Sequence, residues 1–312
     1  MTTQRAGTRT PVSSVPLHVG RGLLMGGAEV VPGVSGGTIA LITGVYETLI
    51  DTAGHTVTAA RRLLARDVRG AREELALGSW RVVAPVLLGM VVAVVVGARL
   101  IEPLIEEHPV GSRAVFAGLV LASLAVPAMM VGRWTARLVL LTALSAVLAF
   151  VLTGLPPGSA ADPPLPLVSV AAAVAICALV LPGVSGSFLL ATVGLYEPTL
   201  AAVNARDLGY LAAFALGAVV GLALFVRLLQ HLLATHRAVT LAVMTGLMVG
   251  SLRALWPWQT EDRGVLAPSG DVLPVLGLVL VGAAFVVALL VVERVVGGGS
   301  PAAGTDEGRP AR

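Results

Sequence analysis

Apolar runs alternate with short polar breaks along the whole chain, and the runs come in two lengths. Six approach the roughly 20 residues that an α-helix needs to cross hydrocarbon: residues 82–101, 114–131, 138–155, 210–233, 238–255 and 272–292. Leu17 to Val31 and Thr38 to Ile50 are too short to span. Between them lies VPGVSGG, which cannot continue a helix, because proline lacks the N–H and glycine favours non-helical dihedrals. The pattern predicts an all-α polytopic membrane protein with six transmembrane helices and broken, shorter helices beside them.

The broken segment occurs twice. PGVSGGTIALITGVYET at Pro32 to Thr48 returns as PGVSGSFLLATVGLYEP at Pro182 to Pro198, with 8 of 17 positions identical. Self-similarity of this kind marks an internal duplication. The correspondence continues at a shorter offset, pairing Gly89 with Gly217, Arg99 with Arg227, His108 with His236, Gly118 with Gly246 and Ser123 with Ser251. The halves, residues 16–155 and 156–296, therefore differ mainly by an insertion. It falls in 51–79, an Arg-rich segment with the look of an amphipathic helix on the membrane surface.

Charge then sets the topology. Arg5 and Arg9 precede the first motif, and Arg61, Arg62, Arg66, Arg69 and Arg72 follow it, so the positive-inside rule places both flanks in the cytoplasm. A re-entrant hairpin over 17–50 satisfies that and a full span does not. Onward, the Glu102 to His108 loop falls outside, Arg133 and Arg137 inside, and the Pro156 to Pro166 loop with Asp162 outside. A second hairpin over 165–200 enters from outside. His231, His236 and Arg237 fall inside, Glu261, Asp262 and Asp271 outside, and Arg294, Arg309 and Arg312 inside. Each half is one re-entrant hairpin plus three transmembrane helices. An odd number of crossings makes them inverted-topology repeats, the plan of many secondary transporters. Both termini lie in the cytoplasm, and 1–15 and 297–312 read as disordered tails.

Composition agrees: 56% of the 312 residues are hydrophobic, 12% are charged, and the mean hydropathy is +0.90. The 21 basic residues are all arginine and are scattered over loops, which excludes a nucleic-acid surface. The single cysteine, Cys177, allows no disulfide within the chain, and no metal site or cofactor is expected.

Backbone that leaves helical geometry at membrane depth must line a cavity or be buried in protein. Ser35 and Ser185 sit where helix N-caps belong, with Gly36, Gly37, Thr38 and Gly186, Ser187 as the first turns. Such a helix start offers N–H donors to an anion, and glycine lets a phosphate come close. The candidate substrate site is therefore Pro32, Gly33, Val34, Ser35, Gly36, Gly37 and Thr38 with Pro182, Gly183, Val184, Ser185, Gly186 and Ser187. Arg99 and Arg227 lie well inside spans, where a charge is costly and a phosphate would partner it bidentately. Snorkelling, or pairing with Glu102, is the bland alternative. Glu29, whose counterpart is Leu179, is a deep acid without a twin, and desolvation there disfavours its charge. It is a candidate for coupling a proton or cation, against a structural pairing with Arg21. Glu47 and Glu197, about 18 Å beyond the tips along a continuous helix, read as secondary or interfacial.

MGGAEVVPGVSGGTIALITGVYE, paired with LPGVSGSFLLATVGLYE, resembles the bacterial and archaeal polyprenyl-phosphate transporter family, from about Gly20 to Val296. The resemblance implies a non-enzymatic transporter of the cytoplasmic membrane that recycles undecaprenyl phosphate from the outer to the inner leaflet for cell-envelope synthesis. It also implies that both motifs form the headgroup site. Family members often carry Asp at the position of Glu29. Two other classes share the plan of opposed broken helices. A membrane-embedded polyprenyl-diphosphate phosphatase would need a general base or arginine clamp at the tips, and neither tip has His or Arg within several residues. A small-anion channel or exchanger would pass chloride or sulfate without lipid.

Overall fold

The computed structural model describes residues 15–30, 35–156, 158, 163–182, 184–260, 262–270 and 272–296, except for the side chains at 30, 98–106 and 293–296. Both expected tails lie, but for Val15, outside these residues. The described chain is helical, with one isolated bridge between Gln259 and Val265 as its only β-pairing. In order the helices are α1 (Val15–Val30), α2 (Gly36–Ile42), α3 (Tyr46–Leu64), α4 (Val68–Leu77), α5 (Trp80–Glu107), α6 (Pro109–Ser123), α7 (Ala125–Met130), α8 (Ala136–Leu152), α9 (Leu165–Val180), α10 (Gly186–Thr192), α11 (Tyr196–Ala205), α12 (Leu208–Thr235), α13 (Arg237–Ser251, with a 3-10 turn to Leu255) and α14 (Val272–Val296).

Among the described residues, 5 helical runs are long and apolar enough to cross a membrane: Trp80–Gly97, Pro109–Met130, Leu208–Thr235, Arg237–Leu255 and Val272–Val292, or 6 if the bent pair 186–205 counts as one span. The predicted run 138–155 is α8, whose 17 residues give about 26 Å of helix, a little short of a hydrocarbon core of about 30 Å. Leu140, Leu144, Val147 and Val151 form an exposed apolar stripe along it, a face suited to lipid and not to water.

The apolar run after each tip is not one helix. α2 stops at Thr43 and α3 restarts at Tyr46, while α10 and α11 meet at a bend of 103°. Gly44 and Gly194, with φ of +69° and +77°, occupy equivalent left-handed positions that glycine adopts without a Cβ penalty. The same pair of bonds closes both turns, Val45 N–H to Ala40 O with Gly44 N–H to Leu41 O, and Leu195 N–H to Leu190 O with Gly194 N–H to Ala191 O. The straight path assumed for Glu47 and Glu197 is therefore interrupted.

The insertion divides in two. α3 has 19 residues against 10 in α11, and both end at an Arg-Asp turn, Arg66-Asp67 and Arg206-Asp207, with the arginine in the left-handed region and the aspartate capping the next helix. In the first half that next helix is the extra α4, packed on α3.

Helix pairing repeats across the duplication. α1 packs along α5 as α9 packs along α12, and α6 packs on α14 as α13 packs on α8. The backbones nearly touch: a Cβ on Gly89 would collide with the Val19 carbonyl, on Gly217 with Ser169, on Gly118 with Val279 and on Gly246 with Thr142. Small residues permit such approach in lipid, where no hydrophobic force pulls helices together. Gly89→Val is expected to cost about 1–3 kcal/mol through overpacking, seen as a lower Tm of the detergent-solubilised protein. An unchanged Tm would mean that α1 does not lie on α5.

Candidate functional site

The two broken segments meet. Ser35, fully buried and in extended conformation, caps α2 by accepting from Gly37 N–H at 3.1 Å. Its hydroxyl lies 3.3 Å from Leu179 O and 3.2 Å from Leu181 O, carbonyls at the end of α9 in the other half. Tyr46 OH donates to Val180 O beside them at 3.2 Å. A helix end leaves such carbonyls without intrahelical partners, so hydroxyls from the first broken segment cover the helix end of the second. A Cβ on Gly37 would press on Val180 O at 2.8 Å, so glycine is what lets the backbones come this close.

The second tip follows the same plan with less cover. Ser185 accepts from Phe188 N–H at 3.4 Å and exchanges a 3.0 Å hydrogen bond with Ser187. All of α2 is buried, whereas of α10 only Gly186 and Leu190 are. An apolar cavity of about 220 Å³ opens beside Ser185, between α8, α9, α10 and α13.

Glu29 distinguishes the halves. Its Oε1 accepts from Gly36 N–H at 2.6 Å, so the first amide of α2 carries the chain's own carboxylate. At the equivalent place Gly186 faces the Ala175 carbonyl and the Leu179 side chain. One tip thus holds a resident carboxyl group, and the other has a leucine in its place.

Arg227 lies elsewhere. Its Nη2 donates to Thr58 Oγ1 on α3 at 3.0 Å, and its Nε is buried with no partner among the described residues. With Gly54, His55, Thr58, Glu74 and Gln230 it lines a polar cavity of about 360 Å³, and its hydrogen bond goes to neither α2 nor α10. Across the cavity, Glu74 meets His55 at 3.0 Å and Arg62 at 3.0 Å. The hydrogen bond from His55 above all, helped by the Arg62 charge, holds the Glu74 carboxyl below its ordinary range, against a cost of burial that ranks between the two. Gln230 reaches Asp51 at 3.3 Å.

Arg21 bonds the buried His18 ring at 3.1 Å, one turn back on α1. Glu47 pairs with Arg237, at the start of α13, at 2.7 Å with both half-exposed, and Glu197 is exposed. Thr38 is buried in the first turn of α2, and Pro182 and Val184 border the second tip. Pro32, Gly33, Val34, Gly183 and the side chain of Arg99 lie outside the described residues, as do the side chain of Glu102 and the loop acids Asp162, Glu261 and Asp271. Sequence reasoning took Tyr46 only as an interfacial neighbour of Glu47, where the structure buries it, and passed over Arg253 and Arg263. Tyr46 was signalled by its repetition at Tyr196, and the arginines by their place in a loop that the charge pattern puts outside.

Residues 25–273 match the family model described as undecaprenyl phosphate translocase-like. A protein of Vibrio cholerae serotype O1 named polyprenyl-phosphate transporter is 36% identical over 261 residues, which cover 82% of this chain and 82% of that protein. A Staphylococcus aureus protein of the same name is 26% identical over 260 residues, covering 77% of this chain and 86% of its own length. No solved structure matches the chain.

Proposed function

This chain belongs to the undecaprenyl phosphate translocase-like family, and from that premise we propose that it carries polyprenyl phosphate across the cytoplasmic membrane, with the phosphate passing between the two tips. The halves are inverted repeats, each tip is re-entrant, and both termini are cytoplasmic. The spent carrier moves from the outer to the inner leaflet for reuse in envelope synthesis. The observation that carries this reading is the reach of Ser35 to Leu179 and Leu181 O, because it sets the amide-rich start of α2 against the second tip.

The headgroup site is Pro32 to Thr38 with Pro182 to Ser187, and Arg99 and Arg227 flank it. They hold equivalent places near opposite ends of the path, about 12 Å before the ends of α5 and α12 at 1.5 Å per residue. Glu29 supplies the coupling. While ionised it occupies Gly36 N–H. When it takes up a proton its hold on that amide weakens and its charge no longer repels a phosphate oxygen, so headgroup and proton bind together. Arg227, in its polar cavity beside Thr58 and His55, receives the phosphate on the arginine-rich side.

The test is transfer of a short-chain fluorescent polyprenyl phosphate between leaflets of liposomes holding the purified chain. Protein-dependent transfer of the phosphate, and not of the matching polyprenol, is expected. No transfer sinks the proposal, and release of inorganic phosphate from undecaprenyl diphosphate would replace it with hydrolysis.

A further inference from the structure

Loops outside a cytoplasmic membrane are expected to be poor in arginine, yet the connection from α13 to α14, which the charge pattern puts outside, carries Arg253 and Arg263. Both side chains are fixed. Arg253 lies over the Phe150 ring at 4.7 Å and donates to Phe150 O at 3.0 Å and Arg263 O at 3.4 Å. Arg263 lies over the Phe188 ring at 3.9 Å and donates to Thr192 Oγ1 at 2.8 Å and Leu155 O at 3.0 Å. Every one of these acceptors is neutral. Among the described residues, neither guanidinium meets a carboxylate within ion-pair distance, and Arg253 Nε is buried without a partner. Among the described residues, two positive charges therefore stand without an ion-pair partner over the ends of α8 and α10. Arg263 also has φ of +65° in the tight turn closed by Thr260 N–H to Gly264 O, a conformation that residues with a long side chain rarely adopt.

Phe188 links these charges to the cavity at the second tip, because its ring forms both the stacking surface for Arg263 and part of the cavity wall. The rest of the wall is almost wholly apolar, and Ser185, the cap of α10, lies in it. Leu152 and Val174, also on the wall, remain 39% and 53% exposed, so the cavity is open to the surrounding hydrocarbon. Its volume of about 220 Å³ is below the roughly 300–1,000 Å³ of sites that enclose a whole ligand. It suits the first units of one chain whose remainder stays in the bilayer.

We propose that Arg253, Arg263 and the cavity beneath them form a loading site for a single-chain isoprenoid phosphate, where the lipid waits before its headgroup reaches the tips. The proposal rests on the transport reading above. A phosphomonoester carries about 1.5 to 2 negative charges at neutral pH and matches two guanidiniums, whereas a phospholipid diester brings one charge and two chains. From this site the phosphate need only move along α10 to reach Ser185.

The test measures transfer in liposomes as a function of polyprenyl phosphate concentration for the wild type, R253Q, R263Q, R263K and the cavity-blocking L152W. R253Q and R263Q should each raise the half-saturating concentration about tenfold or more, the scale of a lost charge-assisted hydrogen bond, with the maximal rate unchanged. L152W should do the same with both arginines intact, and R263K should lie between R263Q and the wild type. Phosphatidylglycerol in excess should not compete. Unchanged half-saturation in R263Q and L152W, or equal competition by phosphatidylglycerol, overturns the loading site while leaving transport standing. Absence of transfer by the wild type refutes the functional reading itself. A fall in Tm shared by R253Q and R263Q, with L152W at wild-type half-saturation, would assign the arginines to capping α8 and overturn the proposal.

Discussion

Glu29→Gln should leave the protein folded and remove the pH dependence of transport. The glutamine oxygen can still accept from Gly36 N–H, which Glu29 holds at 2.6 Å, so the start of α2 keeps its partner. Only the ability to change charge is lost. One coupled proton gives the wild type up to about a tenfold change per pH unit across its responsive range, and the variant should be flat over the same range. Glu29→Ala is the structural control. It leaves the buried Gly36 amide without an acceptor, at a cost of about 1–3 kcal/mol, and should lower Tm where glutamine does not. A glutamine variant with the wild-type slope would discharge Glu29 from coupling and leave it as a helix cap.

Arg227→Ala should cut transport about 30-fold or more, since truncating one partner of a buried charged contact costs upwards of about 2 kcal/mol. Lysine should recover little, because it restores charge without the planar fork that grips two phosphate oxygens. The guanidinium could instead be a strut that ties α12 to α3 through Thr58. Thr58→Val separates the two roles, for it removes that hydrogen bond and keeps the arginine. Transport near the wild-type level in Thr58→Val, together with loss in Arg227→Ala, assigns the arginine to the substrate. Equal loss in both, with lowered Tm, assigns it to the packing of α3.

What could be read from the residues followed from how local the cause was. The caps at Ser35 and Ser185 were visible because Pro, Gly and Ser punctuate an apolar run within a few positions, and the cap bonds are made within the same turn. The breaks at Gly44 and Gly194 were hidden although both glycines are in the duplicated stretch. A lone glycine in an apolar run is compatible with a helix, and only the left-handed φ turns it into a stop. The segment 51–79 reads in the sequence as one amphipathic helix, since its arginines and glutamates suit either arrangement, whereas it is divided between the end of a longer α3 and a separate α4. That Ser35 lies against Leu179 and Leu181, more than 140 positions away, and that Arg227 meets Thr58, depends on packing between halves, which no local pattern encodes. Arg263 escaped notice because a lone loop arginine carries no periodic signal, and what sets it apart is the Phe188 ring, Thr192 hydroxyl and Leu155 carbonyl that the fold brings beneath it.

The cross-packing of α6 on α14 and of α8 on α13 bears on biogenesis. During synthesis α6 is made long before α14, the helix it packs on. The glycine face of Gly118 must therefore wait in the lipid until α14 has been made. Neither half can close its own packing alone, so truncation before α14 leaves a nascent product with an unmatched helix surface, a substrate for membrane quality control and not a smaller working unit.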